Sequence, residues 1–434
     1  MKAMFGTSGI RGVYGRDITE ELARNVANIF SENALAVARD LRESGISLKK
    51  SVALGAGDAG AEVLDCGIVP TPTLALATRR HKCRGIMITA SHNPPEYNGL
   101  KLIENAREIG KGLEKEITAN YGRYKTTENK GGCYFDCDAA GAHRQMVSSL
   151  VDASLISGKR PKVLVDCNGA ACAITPQLLT DLGCRVVSLN ASYDGFNRPS
   201  EPSAENLDYL CRMAGKTGAD FAIAHDGDGD RCAVIDDKGE MLPLDMQLAM
   251  MVGHELSSDS NKRIISTVEA SLTVREAVEK AGGEIEITPV GSTYVGDALE
   301  KTGAVFGGEP CGEYVYREGV HVPDAVLAAA KFAEIFCLKG RFSELRKNYP
   351  QHFMAREKFP AENKHAAVEK IKEAMGKKGR VRDDDGIRID EEDGWFLIRA
   401  SGTEPIVRLT MEYKTNERLE ARKKELSSLI LKSV

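Results

Sequence analysis

The chain has 434 residues, with 58 Lys and Arg against 63 Asp and Glu, for a formal net charge of −5. That length exceeds what one hydrophobic core serves, so roughly three or four domains are expected, and the weak acidity argues against nucleic acid as a partner. Apolar residues make up 42% and charged residues 28%, a globular composition, and no apolar run approaches the roughly 20 residues of a membrane span.

Eleven cysteines are present. No CxxC pair occurs, and Cys133 and Cys137 lack partners for a zinc site. The opening Met1-Lys2-Ala3-Met4-Phe5 carries no apolar targeting segment. Reduced thiols in a cytoplasmic protein are therefore expected.

Gly6-Thr7-Ser8-Gly9-Ile10-Arg11-Gly12 reads as a glycine-rich loop whose N–H groups and Arg11 suit an anion. Asp17-Ile18-Thr19-Glu20 reads as a capping box opening a helix through Leu22, Val26 and Phe30. Leu35 to Ala38 reads as a strand, and helical periodicity resumes from Ser47 to Val63. Within it, Gly55-Ala56-Gly57-Asp58-Ala59-Gly60 is a formal GxGxxG. A dinucleotide site needs a strand before those glycines and a helix after them. The order here is reversed, so small residues packing a helix against a sheet is the preferred reading over a nucleotide-dependent oxidoreductase.

Ile68 to Pro72 reads as a loop, followed by a helix through Arg80. Gly85-Ile86-Met87-Ile88 is a short buried strand that delivers Thr89-Ala90-Ser91-His92-Asn93-Pro94. The Pro94-Pro95 pair forbids regular continuation. Ser91 is thus expected on a tight loop at a strand end, where α/β proteins place chemistry. Lys101 follows closely enough to face the same pocket.

A second α/β unit starts near His143. It shows strands Lys162–Asp166, Arg185–Leu189 and Phe221–Ala224, an Asn168-Gly169 turn, a helix Ile174–Leu182 and another opened by Ser203 and Asn206. The last strand leads into Asp226-Gly227-Asp228-Gly229-Asp230-Arg231. In an extended segment alternate residues point the same way, so three carboxylates would converge. Clustered anions need a cation, and hard oxygen ligands suit Mg²⁺. An EF-hand needs Gly at its sixth position and Glu at its twelfth, where this chain has Arg231 and Asp237.

A third unit runs from about Pro243 to Tyr349, with strands Ile264–Val268 and Ile285–Thr288 and a helix Val274–Ala281. Ala304-Val305-Phe306 feeds Gly307-Gly308-Glu309-Pro310-Cys311-Gly312-Glu313, which reads equally as a turn or as a strand end whose Glu309 accepts sugar hydroxyls. His321 reads as structural, before a helix from Pro323-Asp324 through Phe336. Lys347 to Pro350 reads as a linker. Val368, Ile371 and Met375 then form one helix face, stopped by Gly376. Trp395–Ile398 is a strand, and Arg399-Ala400-Ser401-Gly402-Thr403-Glu404-Pro405 combines donors that suit phosphate. Val407, Leu409 and Met411 alternate with Arg408, Thr410 and Glu412 on a closing strand.

A reactive serine, a carboxylate metal site and two anion loops together indicate phosphoryl transfer, catalysed by positioning and charge neutralisation. On the serine loop Thr89–Pro94, the metal loop Asp226–Arg231, the sugar loop Gly308–Gly312 and the phosphate loop Arg399–Pro405, in that order, the chain resembles the α-D-phosphohexomutase family. The resemblance covers nearly the whole length. It implies an α/β fold of four domains around a central cleft, at 1–142, 143–242, 243–349 and a smaller α+β domain at 350–434.

The same resemblance implies that Ser91 carries a phosphoryl group and, with Asp226, Asp228 and Asp230, holds Mg²⁺. Arg11, His92 and Lys101 would line the reacting end, with Lys101 a candidate general base. Glu309, Cys311 and Glu313 would meet the sugar, and Arg399, Ser401, Gly402, Thr403 and Arg408 the non-reacting phosphate. Small sugar phosphates are the implied partners, with a hexose 1,6-bisphosphate as activator and a monomer or homodimer as the assembly.

The opening motif and the Ser-Gly-Thr-Glu-Pro loop resemble the phosphoglucosamine branch more than the phosphomannomutase/phosphoglucomutase branch. Many relatives carry His where Glu313 stands, so a carboxylate there is expected to favour the ammonium of a 2-amino sugar. Asp166-Cys167-Asn168-Gly169-Ala170 also departs from the usual glycine-rich turn, with no functional loss expected. A non-catalytic sugar-phosphate sensor is the remaining alternative.

Overall fold

The computed structural model describes residues 4–6, 8–127, 134–136, 138–375, 380–401 and 405–434. Cys133, Cys137 and Gly376 fall outside them. The first unit is a sheet of β1 (Ile10–Val13), β2 (Ala34–Arg39), β3 (Glu62–Ile68), β4 (Arg84–Ile88), β5 (Tyr97–Glu104), β6 (Arg107–Glu108) and β7 (Tyr134–Asp136). Its order is β1-β5-β4-β2-β3-β7, with β6 on the far end of β5. Strands β2, β3, β4 and β7 are parallel, which requires cover on both faces. Leu35, Val37, Ile86 and Ile88 face helices α1 (Glu20–Phe30) and α2 (Ser44–Asp58), while Ala36, Ala38 and Met87 face α3 (Thr71–His81).

Four local expectations are corrected here. Ile10-Arg11-Gly12 is strand, not loop, because Ile10 and Arg11 pair with Leu100 and Gly99 of β5. Helix α1 is capped by the Thr19 hydroxyl, which accepts from Leu22 N at 3.2 Å. Asp17 instead accepts from Val13 N at 3.1 Å. Helix α2 ends at Asp58 rather than Val63, because Gly60 turns the chain at a φ of +84° into β3. The tightest glycine of the GxGxxG faces helix α1, not a sheet: a Cβ on Gly55 would stand 2.1 Å from the Arg24 carbonyl oxygen.

The second unit is β8 (Lys162–Asp166), β9 (Arg185–Leu189), β10 (Phe221–His225) and β11 (Cys232–Ile235), ordered β11-β10-β8-β9. The third is β12 (Arg263–Thr267), β13 (Glu284–Thr288), β14 (Phe306–Glu309) and β15 (Glu313–Tyr316), ordered β13-β12-β14-β15. Both repeat the pattern at the centre of the first sheet. In each unit the first and third of four strands lie side by side in parallel, and the fourth turns back antiparallel. Chain connections leave such a central pair in opposite directions, opening a crevice at the strands' carboxyl ends. Ser91 follows β4, Asp226 follows β10 and Glu309 ends β14, so all three stand at equivalent places.

The expected helix at Ser203 begins only at Asp208, and the helix Ser292–Thr302 and strand β15 were not anticipated. The fourth unit is an antiparallel sheet, β16 (Phe353–Pro360), β17 (Arg380–Arg382), β18 (Ile387–Asp390), β19 (Gly394–Ala400) and β20 (Ile406–Tyr413), ordered β16-β20-β19-β18-β17. Val407, Leu409 and Met411 are buried as alternation requires, beneath helices Lys364–Met375 and Asn416–Leu431.

Buried polar contacts fasten the units together. His143 bonds Thr73 of the first unit at 2.8 Å and Asp324 of the third at 2.9 Å, with all three side chains sealed from solvent. Arg388 of the fourth unit donates to the Val268 and Ala270 carbonyls of the third and lies 3.8 Å from the Trp395 ring centre.

Candidate active site

Strand β4 ends at Ile88, and the chain turns sharply. The Thr89 hydroxyl donates to Asp40 at 2.7 Å and accepts from Ser91 N at 2.8 Å. Ser91 is forced to a φ of +51°, the left-handed region that non-glycine residues rarely adopt. Such strain persists only where the surroundings over-determine it, and it clusters at functional sites. The hydroxyl is buried, donates to Asp226 Oδ2 at 2.8 Å and lies 3.3 Å from His92 Nδ1.

The metal loop converges by a turn rather than by extended alternation. Asp226 Oδ1 accepts from the backbone N–H groups of Asp230 at 3.2 Å and Arg231 at 3.1 Å, and Gly229 adopts a φ of +65°. Oxygens of Asp226, Asp228 and Asp230 thereby lie within 4.8 Å of one another. Gly227 lets this loop approach the serine loop: a Cβ there would stand 2.9 Å from Ser91 O and 2.6 Å from Ser200 Oγ.

Asp228 Oδ1 and Asp230 Oδ1 are buried and have no hydrogen-bond partner among the described residues. Buried polar groups rarely go unsatisfied, and burial plus repulsion from Asp230 and Asp228 drives the Asp226 carboxyl well above its ordinary range. Two orphaned oxygens beside a third strained carboxylate fit a hard divalent cation.

Lys101 partly meets the same need. Its ammonium sits 2.8 Å from Asp228 Oδ2 and 2.5 Å from Asp230 Oδ2. Burial works against that charge, but the two carboxylates outweigh it and hold Lys101 protonated. Burial likewise opposes the Asp228 charge, yet Lys101 and the Thr71 hydroxyl, donating at 2.6 Å, leave its carboxyl below the usual range. Thr71 was not foreseen: it opens helix α3, and its partner lies 157 residues away.

Around this centre stand Arg11, whose buried Nε has no hydrogen-bond partner among the described residues, and Arg231, which bonds Glu313 at 3.1 Å. Burial, Arg231 and Arg11 push His92 down to about 3, so it is a neutral imidazole at physiological pH. The reacting end therefore offers three fixed cations and one neutral donor–acceptor.

Across the crevice, Glu309 is buried and accepts from Gly291 N at 3.2 Å. Burial, Glu313 and Glu269 raise its carboxyl well above the ordinary value. Glu313 is also raised by burial, partly countered by Arg231. Burial raises the Cys311 thiol, leaving it uncharged.

The fourth unit places Lys358, Arg408 and Arg399 directly opposite one another on β16, β20 and β19. Like charges in cross-strand register are destabilising, and such a row of guanidinium and ammonium groups suits an anion. Glu269, at the end of β12, bonds Arg399 at 3.2 Å, and Asp385 stands 4.0 Å from it. Neither acid was singled out in the sequence. Ser401 is buried, and its carbonyl accepts from Lys364 at 2.5 Å. Gly402 and Thr403 lie outside the described residues.

Four family profiles match the chain in order. They are Phosphoglucomutase/phosphomannomutase alpha/beta/alpha domain I over residues 2–128, domain II over 142–239, domain III over 245–353 and the C-terminal domain over 354–429. A probable phosphoglucosamine mutase of Methanosarcina barkeri is 38% identical, over 95% of this chain and 96% of its own. A phosphoglucomutase/phosphomannomutase of Thermococcus kodakarensis is 35% identical over 96% of each. The crystal structure of a phosphoglucomutase/phosphomannomutase family protein from Burkholderia thailandensis superposes with a TM-score of 0.88 at 27% identity, covering 100% of this chain and 98% of that one. With the serine loop bonded to the metal loop through Ser91 and Asp226, and that loop bonded to Glu313 through Arg231, the chain belongs to the phosphoglucomutase/phosphomannomutase family, the α-D-phosphohexomutases, and is an intramolecular phosphotransferase.

Proposed function

We propose that its substrate is glucosamine 6-phosphate, converted to glucosamine 1-phosphate by units spanning 1–142, 143–242, 243–349 and 350–434. The observation that carries the chemistry is the strained, buried Ser91, whose hydroxyl touches an acidic triad with unsatisfied oxygens. Phospho-Ser91 donates to the sugar's free O1 hydroxyl: the P–Oγ bond breaks, a P–O1 bond forms and the hydroxyl proton leaves. The resulting 1,6-bisphosphate turns end for end. Its 6-phosphoryl then returns to Ser91 Oγ, breaking the P–O6 bond, and the 1-phosphate departs. Added hexose 1,6-bisphosphate primes the cycle by loading Ser91.

Asp226, Asp228, Asp230 and the phosphoseryl group would hold Mg²⁺, which when bound draws charge off the transferring phosphoryl group. Arg11, Arg231 and Lys101 neutralise its equatorial oxygens. Lys101 is the candidate base, and its two carboxylate partners argue that charge neutralisation is its first role. His92 is the neutral hydrogen-bonding neighbour of Ser91. Glu309, Cys311 and Glu313 orient the sugar, and Arg399, Ser401, Gly402, Thr403 and Arg408 hold whichever phosphate is not reacting. Glu313 would favour the 2-ammonium, although its pairing with Arg231 offsets part of its charge. Buried free thiols support a reducing, cytoplasmic setting, with the enzyme a monomer or homodimer acting on small sugar phosphates.

Intact-mass measurement tests the proposal. Wild type treated with glucose 1,6-bisphosphate gains one phosphoryl group, and Ser91→Ala gains none and loses turnover while still binding sugar phosphate. Full activity in Ser91→Ala would remove the proposed donor, and phosphorylation without turnover would point to a sensor. Parallel assays with glucosamine, glucose, mannose and N-acetylglucosamine phosphates decide the sugar. A second reading, phosphoglucose or phosphomannose exchange, is favoured by the 35% identical relative bearing that name.

A further inference from the structure

The serine loop is held by one residue that belongs to none of the four motifs. Arg42 is buried and follows Asp40 at the carboxyl end of β2. Its Nε donates to Asp40 Oδ2 at 3.0 Å. Nη1 donates to the carbonyls of Pro94 at 2.5 Å and Tyr97 at 2.9 Å. Nη2 donates to those of Ser91 at 2.8 Å and Asn93 at 2.7 Å. A guanidinium has five N–H donors; here one goes to a carboxylate and four to carbonyls between Ser91 and Tyr97.

The second unit repeats the device at the equivalent strand end. Asp166, the last residue of β8, accepts from Arg198 Nε at 2.8 Å. Arg198 Nη1 donates to Pro199 O at 2.9 Å and Ser200 O at 3.3 Å, and Nη2 donates to His225 O at 2.6 Å, one residue before Asp226. The two clasps meet, because the Ser200 hydroxyl donates to Ser91 O at 2.9 Å and the Phe196 ring covers the Arg42 guanidinium at 5.1 Å. A closed circuit results: Arg42, Ser91 carbonyl, Ser200, Arg198, His225 carbonyl, Asp226 and back to the Ser91 hydroxyl.

We propose that Arg42 and Arg198 are positioning residues for phosphoryl transfer, fixing the Ser91 hydroxyl against the metal-loop carboxylates through paired Asp–Arg clasps. This rests on Ser91 as the phosphoryl carrier. Transfer depends on alignment: a misplacement of about 1 Å costs on the order of 100-fold in rate. Lysine at position 42 carries three donors on one rotating nitrogen rather than a planar fork, so it cannot hold four carbonyls and Asp40 together.

The test uses full-length wild type, Arg42→Lys, Arg198→Lys and Ser200→Ala, each freed of phosphate. Each is mixed with glucose 1,6-bisphosphate and Mg²⁺, and Ser91 phosphorylation is timed by intact mass. In that reaction a sugar P–O bond breaks, a P–Oγ bond forms and the serine proton is released. Loading rate and kcat per folded molecule are expected to fall about 100-fold in the lysine variants and several-fold in Ser200→Ala, with KM for the monophosphate unchanged. A purely structural role would lower the melting temperature and leave those rates per folded molecule intact, and that result would overturn the proposal. Should a lysine variant fail to fold, Ser200→Ala decides, since it removes one bond to the same carbonyl. Wild type that takes no phosphate would overturn the carrier role and this inference together; equal loading in wild type and variants overturns only the inference.

Discussion

Replacing Lys101 with methionine keeps the shape of the side chain and removes the ammonium from between Asp228 and Asp230. Both carboxylates are fully buried or nearly so, and both N–O distances are below 3 Å. Removing one partner of a buried ion pair costs about 3–5 kcal/mol, chiefly because a buried charge is left uncompensated. At about 2–4 °C per kcal/mol, melting in EDTA should fall by roughly 10 °C. Mg²⁺ should then restore more in Lys101→Met than in wild type. In wild type the ammonium already offsets part of the charge on both carboxylates; in the variant the cation meets that charge uncompensated. A ligand at about 100 times its Kd returns about 2.7 kcal/mol to the folded state. Differential scanning fluorimetry in EDTA and across a Mg²⁺ titration, with calorimetry for affinity, reads both effects. Equal melting of the two proteins in EDTA, or identical Mg²⁺ shifts, would refute the reasoning.

Three further outcomes are expected. Burial and Glu412 push Asp245 up to about 7 from its ordinary 3.8, so its contribution to stability is full below that lower value and is lost as pH rises through 7. Asp245→Asn should therefore flatten urea stability across that window and leave the variant the more stable protein at pH 8; an unchanged slope would contradict this. Gly227→Ala drives a methyl against Ser91 O and Ser200 Oγ. An overpacking strain of about 1–3 kcal/mol at that contact should depress kcat well beyond any change in melting temperature, and unaltered turnover would show that the loops need not touch. Glu313→Gln should narrow the preference for glucosamine over glucose phosphates in paired kcat/KM assays; an unaltered ratio would remove Glu313 from sugar discrimination.

Central strands were legible because parallel sheets covered on both faces need unbroken apolar runs, as in Gly85–Ile88 and Phe221–Ala224. Strand β16, with Arg, Glu and Lys among its residues, gave no such signal, since it lies at a sheet edge and half faces solvent. The Asp-Gly-Asp-Gly-Asp spacing pointed to a candidate cation site, but the turn that gathers the carboxylates depends on backbone bonds to Asp226 that spacing alone does not specify. Arg42, Thr71 and Glu269 were invisible for a different reason. Each acts through partners from 49 to 157 residues away, and locally each is an ordinary helix-start or loop residue.

The imidazole of His143 ties Thr73 to Asp324 with no solvent between them. Three walls of the crevice thus share one keystone, and none can swing without breaking it. The remaining wall is fastened differently, to a single neighbour, by the buried Arg388 guanidinium on the Val268 and Ala270 carbonyls, by Trp395 and Leu397 packed against Ile287, and by the Arg399–Glu269 pair. Engineers who wish to transplant a sugar specificity should accordingly carry the first three quarters of the chain, the proposed sugar contacts Glu309 and Glu313 included, as one indivisible block.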